Sequence, residues 1–146
     1  MFVVDTNVLV YAADRSAEEF AACRRALDRW RAEPTPWYLT WGIVYEFLRI
    51  TTHPRVFRTP WPVTDAWHFI ATILATQGIS VLVASERHQD VAAQVLESVP
   101  AMRGNLLFDA RTAILMREHG ITRIYTRDTD FHRFPFVEVL DPVTSD

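Results

Sequence analysis

FVVDTNVLVYAA, residues 2–13, decides the fold class. Phe2, Val3 and Val4 are a short apolar run of the kind that forms a buried strand. Asp5 stops the run, and Asp5 or Thr6 can cap a helix with a side-chain oxygen. Thr6–Ala13 then reads as that helix. A strand that feeds straight into a helix is half of a β–α–β unit, so the rest of the chain is read for its repetition.

The unit recurs. Ala17–Ala32, rich in Ala, Arg and Glu, reads as a second helix, broken by Pro34 and Pro36. Trp37–Thr40 is a strand and Trp41–Thr52 a helix. Residues 53–62 form a Pro-rich connection through Pro54, Pro60 and Pro62. Thr64–Thr76 is helical and stops at Gly78, before a third strand at Ile79–Val83. Ser85 is placed to cap a helix over Glu86–Val99. Asn105–His119 is a further helix, with Gly120 in the C′ position that favours left-handed backbone. Arg123–Thr126 and Phe136–Leu140 complete five strands. Strands alternating with helices predict an α/β sandwich around a mostly parallel sheet. A length of 146 residues predicts one domain, 1–146, with a core large enough to need no disulfide or structural metal.

Composition narrows the function. Hydrophobic residues make up 49% and charged residues 23%, the balance of a globular chain rather than a disordered one. Cys23 is alone, which excludes a disulfide framework and a Cys-rich zinc site and fits a reducing cytosol. The opening MFVVDTNVLV lacks a basic n-region and is interrupted by Asp5, so it does not read as a signal peptide. No apolar run reaches the ~18–20 residues of a membrane span. A cytoplasmic protein with no membrane contact is expected. The net charge of −3 lacks the overall basic signature of a nucleic-acid binder. All 15 basic residues are nevertheless Arg, whose planar fork suits phosphate. The five Trp (Trp30, Trp37, Trp41, Trp61, Trp67) read as core or interface packing ahead of base stacking.

The informative residues are acids in places that disfavour acids. Asp5 ends the first strand, at the edge of a parallel sheet where ligands bind; a helix cap is the alternative reading. Glu46, in WGIVYEFLRI, has Ile43, Phe47 and Ile50 around it, so it lies on or beside an apolar stripe unless Arg49 pairs it outward. Asp109, in NLLFDARTAILMREHG, shares a face with Leu106, Ala113 and Met116; the alternative is an acid placed to suit the helix dipole. Asp128 and Asp130 follow the fourth strand in IYTRDTDF, where they either join a site or brace an Asx turn. If the first and fourth strands are neighbours, these carboxylates converge. Such a cluster repels itself unless hard divalent cations occupy it, and Mg²⁺ or Mn²⁺ suits carboxylate oxygens and water.

Four segments carry a family resemblance: VVDTNVLVYAAD, WGIVYEFLRI, LLFDARTAILMREHGITRIYTRD and TRDTDFHRF. Together they span residues 2 to 140, and in order and spacing they resemble PIN-domain ribonucleases, specifically the VapC-type toxins of bacterial toxin–antitoxin pairs. The resemblance implies a PIN-like three-layer sandwich with a five-stranded, mainly parallel sheet flanked by helices. It implies Mg²⁺- or Mn²⁺-dependent endonucleolytic cleavage of RNA by activated water, leaving 5′-phosphate and 3′-hydroxyl ends. It further implies a homodimer and a cognate small antitoxin that reaches into the active-site groove.

In family terms Asp5 and Asp109 are the principal metal ligands, completed directly or through water by Glu46 and Asp128. Thr6, Asn7 and Thr126 fall where hydrogen-bonding groups hold such ligands, and Asp130 is a further possible ligand. Arg15, Arg49, Arg127 and Arg133 are candidates for gripping the RNA backbone. A repulsive acid cluster further predicts that Asp5→Asn raises the melting temperature without metal. Two other readings compete: a non-catalytic metal- or peptide-binding PIN-like scaffold, and a PIN nuclease of RNA maturation. A phosphotransfer receiver domain would need a Lys near its end, and the chain has none.

Overall fold

The apolar opening Phe2–Val4 (β1) runs down the middle of a five-stranded sheet, flanked by β2 (Trp37–Thr40) and β4 (Arg123–Tyr125). The remaining strands, β3 (Ile79–Leu82) and β5 (Glu138–Leu140), form the edges, giving the order β3-β2-β1-β4-β5. Every pairing is parallel, with Phe2 opposite Trp37 and Val3 opposite Ile124. The computed structural model describes residues 1–144. The α/β, five-stranded parallel expectation is therefore met.

Six helices make the connections: α1 (Thr6–Ala13), α2 (Phe20–Ala32), α3 (Trp41–Thr51), α4 (Val63–Leu74), α5 (His88–Ser98) and α6 (Leu106–Glu118). Through α1–α4 the chain steps from β1 to β2 to β3. Through α5 and α6 it returns to the other side of β1. Parallel crossovers are right-handed, so reversing direction across the sheet moves the helices to its opposite face. The packing agrees: α1 lies on α2 and α3, α3 on α4, and α5 on α6. A parallel sheet covered on both faces needs strands that are apolar throughout. Val3, Val4, Leu39 and Ile124 are accordingly buried without exposure. Ile124→Ala should cost about 2–5 kcal/mol, the range for truncating a core aliphatic chain. It should appear in urea titration as a lower midpoint at unchanged slope.

Element ends depart from the expectations where side chains have other partners. The second helix begins at Phe20, not Ala17, because Asp14 folds the preceding residues into a turn, accepting from the Ser16 backbone at 2.9 Å. The fifth helix begins at His88, not Glu86: the Ser85 hydroxyl accepts from the Arg87 N–H at 3.2 Å and donates to Glu118, thirty-three residues on, and residues 86–87 form a turn ahead of the helix. The fourth runs Val63–Leu74, and the final strand shortens to Glu138–Leu140. A 3₁₀ turn at Thr129–Arg133, not expected as an element, follows Asp128. Gly120 takes the anticipated C′ role at φ 68°, with Ile121 N–H donating to Met116 C=O at 2.9 Å.

The Pro-rich connection is held by aromatic packing. Trp61 packs edge-on against Phe47, Phe57 and Phe69, pinning the segment to α3 and α4. Trp30 and Trp37 are buried against Phe2, as packing predicts, whereas Trp41 and Trp67 stay exposed.

Candidate active site

In an open parallel sheet, the crevice for ligands opens where connections leave neighbouring strands in opposite directions. Here that point is the carboxyl edge between β1, whose chain leaves toward β2, and β4, whose chain leaves toward β5. Asp5 and Thr126 are the first residues beyond those two strands. On either side, α3 and α6 touch across the sheet end, bringing Glu46 and Asp109 toward the same crevice. Asp5, Glu46, Asp109 and Asp128 all line one cavity of about 260 Å³, with Thr6 and Asn7. An adjoining groove of about 700 Å³ shares Glu46, Asp109 and Asp128 and adds Asp130. The sequence-derived acids therefore converge.

Within the cluster, carboxylate oxygens of Asp109, Asp128 and Asp130 lie within 4.8 Å of one another. Asp128 and Asp130 both belong to this group. The backbone explains their pairing: Asp128 Oδ1 accepts from the Asp130 N–H at 2.8 Å and caps the 3₁₀ turn, which folds the second acid back beside the first. The turn-bracing and site readings are thus compatible.

Asp5 is held differently. It is 8% exposed. Its Oδ1 accepts from the Thr6 N–H at 2.8 Å, so it caps α1. Its Oδ2 accepts from Asn7 Nδ2 at 2.8 Å and from the Thr126 hydroxyl at 2.7 Å. Asn7 cannot reverse its amide, because its Oδ1 accepts from the Arg127 N–H at 3.1 Å. Thr126 Oγ1 also accepts from Asn7 Nδ2 and from the Asp128 N–H, each at 2.9 Å. One hydroxyl thereby ties Asp5 to Asp128. The Thr6 hydroxyl donates to Glu46 Oε2 at 2.9 Å, tying α1 to α3.

The electrostatics are those of an anionic cage. Burial, then the charges of Asp128, Asp5, Asp130 and Glu46, push the Asp109 carboxyl up to about 7. Burial outweighs hydrogen bonds from Thr126 and Thr6 at Asp5, which rises to about 6 with help from Glu46 and Asp128. Among the described residues, the one cation within 4.0 Å of any of these acids is Arg49, 3.5 Å from Glu46. An all-oxygen donor set, mutually repelling and otherwise unpaired, fits a hard divalent cation.

The arginines divide. Arg49 lines the groove. Arg127 does not: its guanidinium pairs with Glu19 and, at 3.3 Å, with Asp141, tying the start of α2 to the chain after β5. Arg133 donates to the Pro100 carbonyl at 3.0 Å, and neither Arg133 nor Arg15 lines the cavity or the groove. Sequence reasoning missed Tyr45, Phe108 and Arg111, which form the groove walls. The available signal was position: Tyr45 and Phe108 each immediately precede an acid, one on α3 and the other on α6.

Thr126→Val removes the shared hydroxyl while keeping the side chain's shape. It should reduce any metal-dependent activity about 10- to 100-fold, the usual effect of losing a group that orients a ligand. The far-ultraviolet circular dichroism should stay that of the parent chain.

The PIN domain profile matches residues 2–137. Among curated proteins, the chain is 30% identical over 138 residues to Ribonuclease VapC48 of Mycobacterium tuberculosis, with 94% of each chain covered. It is 34% identical over 134 residues to Ribonuclease VapC43 of the same organism, covering 92% of this chain and 90% of that one. Among solved structures it resembles FitAcB from Neisseria gonorrhoeae, with TM-score 0.69, 19% identity, and 99% and 100% of the two chains covered.

Proposed function

The chain belongs to the PIN-domain family, and on that footing we propose that the carboxylate cavity is the catalytic centre of a divalent-metal-dependent endoribonuclease. The protein is a toxin-type ribonuclease, a hydrolase of RNA phosphodiester bonds. The supporting observation is the meeting of Asp109, Asp128 and Asp130 oxygens within 4.8 Å, in a crevice that Asp5 and Glu46 complete.

Asp5, Asp109 and Asp128 would hold Mg²⁺ or Mn²⁺, with Asp130 and Glu46 completing the set directly or through water. When bound, the ion supplies Lewis-acid stabilisation of the phosphate and lowers the pKa of water. The protein's own part is positional. Asn7 and Thr126 hold Asp5 by its Oδ2, and Thr6 holds Glu46 by its Oε2. Arg49 and Arg111 put positive charge in the groove, where an RNA backbone needs it. Arg127 serves the scaffold through Glu19 and Asp141 rather than the substrate. A cognate small antitoxin, a homodimer and a cytoplasmic setting belong to the same proposal, and the family resemblance supports them. No helix of the described residues is long and apolar enough to cross a membrane.

The test is incubation of purified protein with transfer and messenger RNA in Mn²⁺, then in EDTA. The expected result is discrete fragments with 5′-phosphate ends, lost in EDTA and restored by fresh Mn²⁺. Metal uptake without cleavage would favour the scaffold reading instead.

A further inference from the structure

Arg127 stands between two residues of the acid crevice, Thr126 and Asp128, yet its side chain lines neither the cavity nor the groove. Its guanidinium is held by two acids from distant segments. Nη1 donates to Glu19 Oε1, and Nε donates to Asp141 Oδ2 at 3.3 Å. The side chains of Arg127, Glu19 and Asp141 are 34%, 21% and 30% exposed, whereas every other arginine–carboxylate pair among the described residues is at least 39% exposed on both sides. An exposed pair contributes little, because water screens it and two long side chains must be ordered. A sheltered guanidinium shared by two carboxylates holds its geometry better.

Both acids are free for this partner. Glu19 occupies the N-cap position of α2 but makes no capping bond with its side chain. Asp141 anchors its own turn with its other oxygen, Oδ1 accepting from the Val143 N–H at 2.9 Å. The clamp therefore joins the start of α2 to the chain after β4 and the chain after β5.

The backbone of Arg127 serves the site. Its N–H donates to Asn7 Oδ1 at 3.1 Å, and Asn7 Nδ2 donates in turn to Asp5 Oδ2 and Thr126 Oγ1 at 2.8 and 2.9 Å. Thr126 N–H donates to Leu140 C=O at 3.0 Å, beside the end of β5. At Arg127 and Asp128 the backbone N–H groups turn to side chains instead, that of Asp128 donating to Thr126 Oγ1 at 2.9 Å. The place of the Arg127 peptide thus sets the orientation of Asn7, and Asn7 sets that of Asp5. Without the guanidinium, Glu19 and Asp141 face each other as like charges, and the strand end they flank is pushed out of register with α1.

We propose that Arg127 is a positioning residue for the metal site, and that Glu19 and Asp141, which lie outside that site, govern through it how tightly an ion is held. The inference rests on the metal-dependent reading above and deepens it. The action runs from the guanidinium to its own peptide, through Asn7, to Asp5.

The experiment titrates Mn²⁺ into the full chain without RNA, reading free Mn²⁺ by electron paramagnetic resonance. Arg127→Met should weaken Mn²⁺ binding about 10- to 100-fold, the range for groups that orient a ligand. Arg127→Lys keeps the charge but not the fork and should fall between that variant and the parent. Glu19→Gln and Asp141→Asn, milder changes that carry the test even where Arg127→Met fails to fold, should each weaken it at least about threefold. Arg24→Met, which breaks an exposed pair with Asp28 on α2, should bind Mn²⁺ like the parent. In an Asn7→Ala background the Arg127→Met loss should vanish, because the link is already cut. Cleavage by Arg127→Met should recover as Mn²⁺ is raised, with the salt dependence of RNA binding unchanged.

Parent-like Mn²⁺ affinity in Arg127→Met, or in both Glu19→Gln and Asp141→Asn, would overturn the inference. So would a loss that persists undiminished beside Asn7→Ala. A salt slope lower by about one with Mn²⁺ affinity intact would make Arg127 a phosphate contact instead. A parent that binds Mn²⁺ while the clamp variants match it defeats the clamp alone. A parent that binds no Mn²⁺ defeats the metal-dependent reading as well.

Discussion

Asp109→Asn is expected to abolish metal-dependent RNA cleavage, by on the order of 10³-fold or more, and to raise the melting temperature of the metal-free protein. Both halves come from one feature. Asp109 lines both the cavity and the groove and has an oxygen within 4.8 Å of Asp128 and Asp130. Burial and then its acidic neighbours raise its carboxyl from 3.8 to about 7. The folded chain therefore binds this proton more tightly than the unfolded chain does, and stability is highest while the group is protonated. It declines as pH climbs from about 4 through about 7. Asparagine has no such proton to lose. The melting-temperature gain should be absent near pH 4, open through that interval and level off above it. Adding Mn²⁺ should reverse the order, because the parent gains stability from the ion and the variant gains little. Single-turnover cleavage and calorimetry across pH check the two halves separately. A variant that cleaves normally, or melts lower at pH 8 without metal, would remove Asp109 from the proposed centre.

Asp5→Asn should abolish cleavage as completely but melt lower, not higher, without metal. Charge repulsion alone would stabilise this variant too, and the sequence by itself supports that expectation. The hydrogen bonds revise it. Asp5 Oδ2 accepts from Asn7 and from Thr126 at 2.8 and 2.7 Å, and Asn7 is locked in orientation by the Arg127 N–H. An asparagine that keeps its oxygen on the Thr6 N–H to cap α1 turns its amide toward two donors. Buried donors facing donors cost about 1–3 kcal/mol for each group left unsatisfied. The opposite melting shifts of the two variants separate a carboxylate that helps build the fold from one that is only tolerated by it. Equal upward shifts would show that the hydrogen-bond frame around Asp5 contributes nothing.

Much of this was legible before the structure. The β1–α1 junction was readable because Asp5 interrupts an apolar run and begins a helix at the same residue. The expected Trp41 start of α3 holds, and its cause is visible only in the structure: Thr40 caps the helix, accepting from the Ile43 N–H at 3.1 Å. The acids were legible as misfits: Leu106, Ala113 and Met116, read as sharing a face with Asp109, are all buried. What escaped depends on partners distant in the chain. Ser85 caps the turn that leads into α5, as its position suggests, but its hydroxyl also donates to Glu118, a partner its position does not reveal. Arg127 looked like a phosphate grip but is consumed by Glu19 and Asp141. Phe108 escaped because α6 is buried around most of its circumference, from Thr112 to Met116, so periodicity could not separate a ring facing the groove from one facing the core.

The two halves of the crevice are joined by Val3 lying opposite Ile124, a pairing of residues 121 positions apart by their numbering. While the chain is still emerging from the ribosome, β1 has no β4 to settle against, and Asp5 waits without Thr126, Asp128 or Asp130. Any fragment ending before residue 123 should be harmless to RNA, however well its first helices form. The crevice is therefore assembled by folding across the whole span from β1 to β4, and not by any local stretch of the chain.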